Sequence, residues 1–432
     1  MGVKMLRKLY VLIGLCLPAS HVDADILNIM TSYPQPVVSA FQQAFEETYP
    51  DVELTFFWRR PDDALNTLLQ NNAEDVDVIW MPSVTTFKSL ADHQLLQAIN
   101  IDLTGLPQAI GHMPISDPHH RYLAFEIAGY GIFIDKQSLE KEKRSIPQTW
   151  TDLTAPAWQG EIALPVPSKV GFAPMLIDQL IQAEGWEKGW ITWQKIAANS
   201  KLISQNAPFM TERVQTGEVR AVLVMDFFAF TSMQQTGNYQ FIYPKQTAFN
   251  PAHIGITINS KHTELAAKFV EFMLSEQGQA VLLAPDVKRL PVREALYDAN
   301  HMMVNPFKQI STQAYDYQLG SARRGYISMI FDAAISDIHP FLVKAWTLVN
   351  DLKQQKLNDA AAKQLVLIQQ QLELWPITQA DNTSEMVKAC ETSQQNTLCM
   401  QEHHRIRVLL ETQYQQAIQQ LETLRFESET HS

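Results

Sequence analysis

The chain has 432 residues, 46% of them hydrophobic, and a formal net charge of −12 at pH 7. That length exceeds what one hydrophobic core supports, so two or three domains are expected. A surface this acidic is a poor partner for nucleic acid or anionic lipid, so an anionic ligand has to be held in a local pocket against the overall field.

Lys4, Arg7 and Lys8 precede the apolar run Leu9–Ala19 (LYVLIGLCLPA), which is the pattern of a signal peptide and short for a permanent span. Ala24 offers a small residue for cleavage, so residues 1–24 read as a leader and the protein as exported to the periplasm. Cys16 follows Leu15 inside the apolar core, which is not the small residue lipidation wants. No later stretch reaches about 18 consecutive apolar residues, so no direct membrane insertion is expected.

The next part alternates strand and helix. ILNIM (Ile26–Met30) leads to a helix carrying Val37, Phe41 and Phe45 at helical spacing. VELTFF (Val52–Phe57) leads to a helix that Pro61 and Asp62 suit as a start, and VDVIW (Val76–Trp80) leads to a third. Short apolar runs followed by amphipathic helices imply βαβ units on a parallel sheet, where ligands gather beyond the carboxyl ends of the strands. Those ends are Thr31–Pro36, Trp58–Asp63 and Trp80–Ser83. A second α/β block runs from about Tyr130 to Asn250, through GEIALP, helices bearing Trp186, Trp190 and Trp193, and AVLVMD. GYGIFI (Gly129–Ile134) and NPAHIGITI (Asn250–Ile258) flank it as crossing strands, which predicts a hinged two-lobed clamp.

From about Ala295 strand-like runs disappear and glutamine accumulates. Ile338, Phe341, Ala345, Leu348 and Leu352 line one helical face, and Leu365, Ile368, Leu372 and Trp375 another. Leu410, Tyr414, Ala417, Leu421 and Leu424 follow a 4-3-4-3 spacing. These stripes suit helices packing on each other or on the clamp; a partner-binding coiled coil is the alternative. Cys390 and Cys399 remain after leader removal, and an oxidising compartment favours their disulfide over a two-cysteine metal site.

The series SYPQPVVSAFQQAFEETYPDVEL, DVDVIWMPS, GYGIFIDK, TWTDLTAPAWQGEIALPVPSKVG, GWEKGWITWQKIAAN, VLVMDFFAF and FMLSEQGQAVLLAPDVKRLPVR resembles the extracellular solute-binding proteins of ABC transporters with the type 2 periplasmic binding fold. The branch it resembles handles ferric iron, phosphonates and sugar phosphates. The resemblance implies an α/β clamp with lobe 1 over residues 25–128 and 251–294, lobe 2 over 129–250, and a C-terminal all-α extension over 295–432. That extension, with LGSARRGYISMIFDAAISDIHPFLVKAW, is similar to the phosphoglycerate transport regulatory family. The implied role is capture of a small organophosphate, phosphoglycerate or phosphoenolpyruvate, with a membrane sensor kinase or ABC permease as partner.

The family's second-lobe ligand turn corresponds to Pro167-Ser168-Lys169-Val170-Gly171-Phe172. A helix N-terminus carries about half a positive charge and unpaired N–H groups, so an oxyanion can dock there. Ser168 offers a hydroxyl, Lys169 a full charge and Gly171 close backbone approach, while Val170 and Phe172 stand where relatives carry hydroxyls. Thr31, Ser32 and Tyr33 match the first-lobe ligand loop, or else cap the next helix. Arg60 falls where relatives carry a basic residue, Trp80 is cleft wall or core, and Ser83 ends the third strand region. Asp226 matches a family aspartate near the hinge and either accepts from a ligand hydroxyl or caps the helix at Phe227. Met225 and Phe209 read as core or cleft lining.

A ferric-iron receptor is the nearest rival reading, although the chain has no Tyr-Tyr pair and His119-His120 is a weak metal signal. A ligandless adaptor is another. No G-x-S-x-G, H-E-x-x-H or Walker loop occurs, so neither catalysis nor a cofactor is expected.

Overall fold

The computed structural model describes residues 25–70, 75–110, 113–204, 210–233, 237–298, 305–309, 315–379, 383–392 and 396–430. The expected leader and Phe209 lie outside them. Strands β1 (Asp25–Thr31), β2 (Val52–Trp58) and β3 (Val78–Met81) alternate with helices α1 (Gln35–Thr48), α2 (Pro61–Leu69) and α3 (Val84–Asp92). Proline starts α1 and α2 where a missing N–H costs nothing, and Ser83 caps α3. Both β1–β2 and β1–β3 are parallel, as the βαβ pattern predicts.

Strand β4 (Tyr122–Asp135) is 14 residues long and buried along nearly its whole length. Its composition, mostly apolar with no interior polar alternation, suits a strand covered on both faces. The second block adds β5 (Ile162–Pro165), α4 (Ala173–Glu184), α5 (Trp186–Ala198), β6 (Ser200–Ile203), β7 (Ala221–Met225) and α6 (Asp226–Met233), then β8 (Tyr239–Ile242) and β9 (Phe249–Ile256). The strand order is β2-β1-β3-β9-β4-β7-β5-β6, with β8 also on β4. The first half of β4 pairs with β9, Tyr122 opposite Gly255 and Gly129 opposite Phe249. Its second half pairs with β7, from Tyr130 opposite Met225 to Ile134 opposite Ala221. One strand therefore belongs to both halves of the sheet, and the chain crosses between them at Gly129–Tyr130.

Side chains sort by strand parity. Leu27 and Ile29 enter the core that holds Phe41, Phe45 and Phe269, while Met30 enters the opposite one with Phe87 and Leu90. In β7, Leu223 and Met225 face one core and Val222 and Val224 the other.

The C-terminal helices are α7 (Tyr317–Ala322), α8 (Arg324–Phe331), α9 (His339–Gln354), α10 (Asp359–Leu372), α11 (Ser384–Thr392) and α12 (Thr397–Thr430). Among the described residues they share the core of the second block. Tyr326, Ile330, Leu342, Leu410 and Tyr414 belong to one cluster with Leu176, Leu180, Trp190 and Leu223. The tryptophans of α5 form the docking face: Trp186 stacks on Tyr326 (6.2 Å between ring centroids) and Trp190 on Trp375 (5.4 Å). Trp186 Nε1 also donates to the Ile377 carbonyl at 2.9 Å, and Lys195 pairs with Glu373 at 2.8 Å. The 4-3-4-3 stripe of α12 is thus spent inside the molecule, on α9 and α10. Cys390 and Cys399 are joined and staple α11 to α12, with S–S 2.04 Å.

No single helix among the described residues is long and apolar enough to cross a membrane. The bent pair Arg324–Ser336 and His339–Gln354 passes by length and composition, but Ile327, Ile330, Leu342 and Val349 lie in the second core.

The start of this helical layer is pinned by a buried ion pair. Arg323 Nη2 lies 2.6 Å from Asp178 Oδ1 in α4, with side-chain exposures of 4% and 1%. Tyr315 Oη (3.1 Å) and Gln182 Nε2 (2.8 Å) donate to the other carboxylate oxygen. Gly320 makes room, since a Cβ there would meet the Tyr315 hydroxyl and the Asp178 carboxylate. Arg323→Ala would leave that carboxylate buried without its cation, a loss of about 3–5 kcal/mol. Urea unfolding of the variant against the parent chain checks this; an unchanged midpoint would refute it.

Candidate ligand-binding cleft

Where the two halves of the sheet meet, a cleft of ≈ 620 Å³ opens. From the first half, Arg60 and Pro61 at the start of α2 and Pro82–Thr85 at the start of α3 line it. Ser83 Oγ accepts from the Thr86 N–H (3.3 Å) and lies 2.7 Å from the Thr86 hydroxyl. Arg60 Nε donates to Asp63 at 2.8 Å, yet the side chain is 73% exposed. Two helix N-termini therefore open on the cleft from one side, each with its positive dipole end.

The opposite wall is more apolar. Val170, Phe172, Met175, Met225, Phe227 and Phe228 line it, with Tyr130 at the crossing. Phe172 sits 6.3 Å from both Tyr130 and Phe228, ring to ring. Lys169 and Gly171 supply the polar part of this turn, and Gly320, Ser321 and Arg324 of the C-terminal helices complete the lining.

Glu126 of β4 reaches the cleft from the floor. Arg289 Nη1 pairs with its Oε1 at 2.6 Å, and both side chains are almost wholly buried. Burial pushes the Glu126 carboxyl up, and the Arg289 charge opposes that. The guanidinium also lies 4.2 Å over the Phe227 ring and 4.8 Å over Tyr33, so Arg289 touches both sides of the crossing.

Asp226, the first residue of α6, is 1% exposed. Its Oδ2 accepts from the Gly129 N–H (2.6 Å) and the Tyr243 hydroxyl (2.8 Å), and its Oδ1 from the Phe227 N–H (2.7 Å). It ties the crossing strand to the second half of the sheet. Burial pushes its carboxyl up to about 7 against those three donors and the Arg289 charge.

Of the ten ligand-binding residues expected from sequence, the structure brings Arg60, Ser83, Lys169 and Gly171 to the cleft, and Met225 joins them. Six do not line it. Thr31 and Tyr33 are 1% exposed, with the Tyr33 N–H bonded to Thr31 Oγ1, because the chain turns inward after β1. Ser32, between them, is also off the lining. Trp80 is fully buried, stacked on Tyr33 at 4.7 Å and edge-on to Phe41 and Phe125, so it is core. Ser168 faces Asp332 of the C-terminal helices. Asp226 is buried and holds the crossing strand, its carboxylate accepting from the Gly129 and Phe227 N–H groups and the Tyr243 hydroxyl. Sequence reasoning missed Glu126, Asn250 and Arg324. Glu126 carried a signal, a lone acid inside an apolar strand, but its partner Arg289 lies 163 residues away.

Residues 76–313 match the family of bacterial extracellular solute-binding proteins, and the chain belongs to that family. It is similar to the phosphoglycerate transport regulatory protein PgtC of Salmonella typhimurium, 25% identical over 319 residues, which are 74% of this chain and 79% of that one. The Fe(3+)-binding periplasmic protein of Serratia marcescens is 25% identical over 145 residues, 32% of this chain and 42% of that one. Among solved structures, the periplasmic binding protein AfuA from Actinobacillus pleuropneumoniae, with exogenous fructose-6-phosphate bound, matches at TM-score 0.53 and 20% identity, covering 74% of this chain and 97% of that one. The apo ferric ion-binding protein A of Pasteurella haemolytica matches at TM-score 0.57 and 14% identity, covering 72% and 97%. The fold is that of the two-lobed periplasmic binding proteins, with helices added at the C-terminus.

Asp226 gives a pH signature. Its acid form persists in the folded chain up to about pH 7, whereas in the unfolded chain it ionises near the ordinary carboxylate value. Its contribution to stability is therefore complete below about pH 4 and is lost as pH rises through about 7, with a slope of up to about 1.4 kcal/mol per pH unit. Asp226→Asn is expected to flatten that part of the profile relative to the parent chain, measured by urea unfolding at half-unit steps from pH 4.5 to 8. Parallel profiles would show that Asp226 is ionised throughout.

Proposed function

We propose that the cleft captures a small anionic organophosphate of the phosphoglycerate or phosphoenolpyruvate type. In this reading the protein works in the periplasm as a sensor or transport receptor that regulates phosphoglycerate uptake, with a membrane sensor kinase or ABC permease as partner. One observation carries the reading. On a chain of net charge −12, the cleft gathers Arg60, Lys169, Arg324 and two helix N-termini, while Glu126 is already paired with Arg289. The names of two similar proteins point the same way, one a phosphoglycerate transport regulator and one holding a sugar phosphate.

The charges divide between the walls. Arg60 and the α2 and α3 N-termini meet one side of the ligand, and Lys169 and Arg324 the other. Binding then draws lobe 1 (residues 25–128 and 251–294) onto lobe 2 (129–250), with the helices after 295 moving as part of lobe 2. Three charge-assisted hydrogen bonds at about 1.5–3 kcal/mol each, about 4.5–9 kcal/mol together before ordering, are of the same order as the roughly −8 kcal/mol of a micromolar complex. Val170 and Phe172, standing where the branch carries hydroxyls, shift recognition of the oxyanion from hydroxyls to cationic side chains. Capture and release need no bond-making step.

Thermal melting of residues 25–432 tests this against the iron and adaptor readings. Saturating 3-phosphoglycerate or phosphoenolpyruvate, at about a hundredfold over Kd, is expected to add about 2.7 kcal/mol and raise Tm. Arg60→Ala and Lys169→Ala each reduce the rise. A shift with ferric citrate alone would favour an iron receptor, and no shift with any of them a ligandless adaptor.

A further inference from the structure

The consecutive residues Arg323 and Arg324 part company at the start of α8. Arg323 turns into the second lobe onto Asp178. Arg324 turns into the cleft, where its Nη2 donates to the Gly171 carbonyl at 2.9 Å. Gly171 is the glycine of the second-lobe ligand turn, so the guanidinium sits on the backbone of the segment most exposed to an incoming anion. Gly320 and Ser321 continue the same wall.

A neutral carbonyl is a modest partner for a guanidinium. Its planar fork suits an oxyanion with two acceptors, a phosphoryl group or a carboxylate, which would bind it by a stronger, charge-assisted pair. Behind Arg324 stands α11. Gly325 lets that helix close in, since a Cβ there would lie 2.5 Å from the Cys390 carbonyl oxygen. The next residue, Glu391, is exposed, and its Cα would lie 2.9 Å from the same Cβ. The disulfide at Cys390 then fixes α11 to the long helix α12.

We propose that the C-terminal helices are a working wall of the ligand cleft. Arg324 binds the ligand's anionic group in exchange for the Gly171 carbonyl. The proposal rests on the organophosphate reading of the cleft and deepens it by giving Arg324, from outside the two lobes, a defined exchange of partners. Occupancy of the cleft is thereby felt at α11, on the far side of Arg324.

Isothermal titration of residues 25–432 with 3-phosphoglycerate, and separately with inorganic phosphate, tests it. Arg324→Ala is expected to raise Kd by about tenfold or more, the loss of one charge-assisted contact. Arg324→Lys restores part of the affinity, because an ammonium keeps the charge without the fork. Ligand-free melting confirms that each variant folds; should Arg324→Ala fail to fold, Arg324→Gln, which keeps a donor for Gly171, carries the same test. If the parent chain binds and the Arg324 variants match it, the proposal falls and the organophosphate reading stands. If the parent chain binds neither probe, both readings fall together.

Discussion

Asp178 and Arg323 are sealed from solvent on both sides, and burying two charges costs more than their attraction returns unless their other polar atoms are bonded. Here Tyr315 and Gln182 supply the missing donors to Asp178, and Gln182 also exchanges bonds with the Asp316 backbone. Such a cluster contributes little net energy compared with an apolar contact, but it tolerates few alternative placements. The stacked Trp186–Tyr326 and Trp190–Trp375 pairs provide the adhesive area, and they would tolerate sliding. The ion pair fixes the register. Because Arg324 is the next residue, that register also decides what the cleft contains.

The crossing between lobes is held in the same manner, by a few buried polar groups on an apolar frame. Two strands, β4 and β9, carry the chain across, paired through Gly129 and Phe249. Asp226 grips the Gly129 amide, and Arg289 bridges Glu126 to the Phe227 and Tyr33 rings. The Arg289–Phe227 contact reaches from the first half to the second, and Asp226 reaches back to the Gly129 amide. These contacts are concentrated where the two strands pass from one half of the sheet to the other.

The alternation of short apolar runs and amphipathic helices was legible because both periodicities are local: Ile26–Met30 and Val52–Phe57 fall on strands, as does the third run from Val78 to Trp80, and Val37, Phe41 and Phe45 on the buried face of α1. The family resemblance located the cleft, and with it Arg60, Ser83, Lys169 and Gly171. It misplaced neighbours of those residues because adjacent side chains leave a strand end or turn in opposite directions. Thr31 and Tyr33 went inward, and Ser168 went to Asp332 while Lys169 kept the cleft. Arg323 and Arg324 stood in a quoted motif, yet nothing local tells which of two adjacent arginines meets Asp178, 145 residues away. The apolar stripes of the last helices announced packing without naming the surface, which was α9 and α10 for α12 and, for Trp375, the Trp190 face of α5.

The sharing of one core between Leu176 and Leu424 has a consequence for how the chain matures. A polypeptide is made from its N-terminus, and domains generally fold as they are completed. The first lobe has all its buried residues once Val292 and Tyr297 are available. The second lobe does not: Trp186 and Trp190 wait for Tyr326, Trp375 and finally the seam of α12. A chain stopped short would present a large, rigid aromatic face to its surroundings. The second lobe is therefore completed last, by the C-terminal helices, while the core of the first does not wait for them.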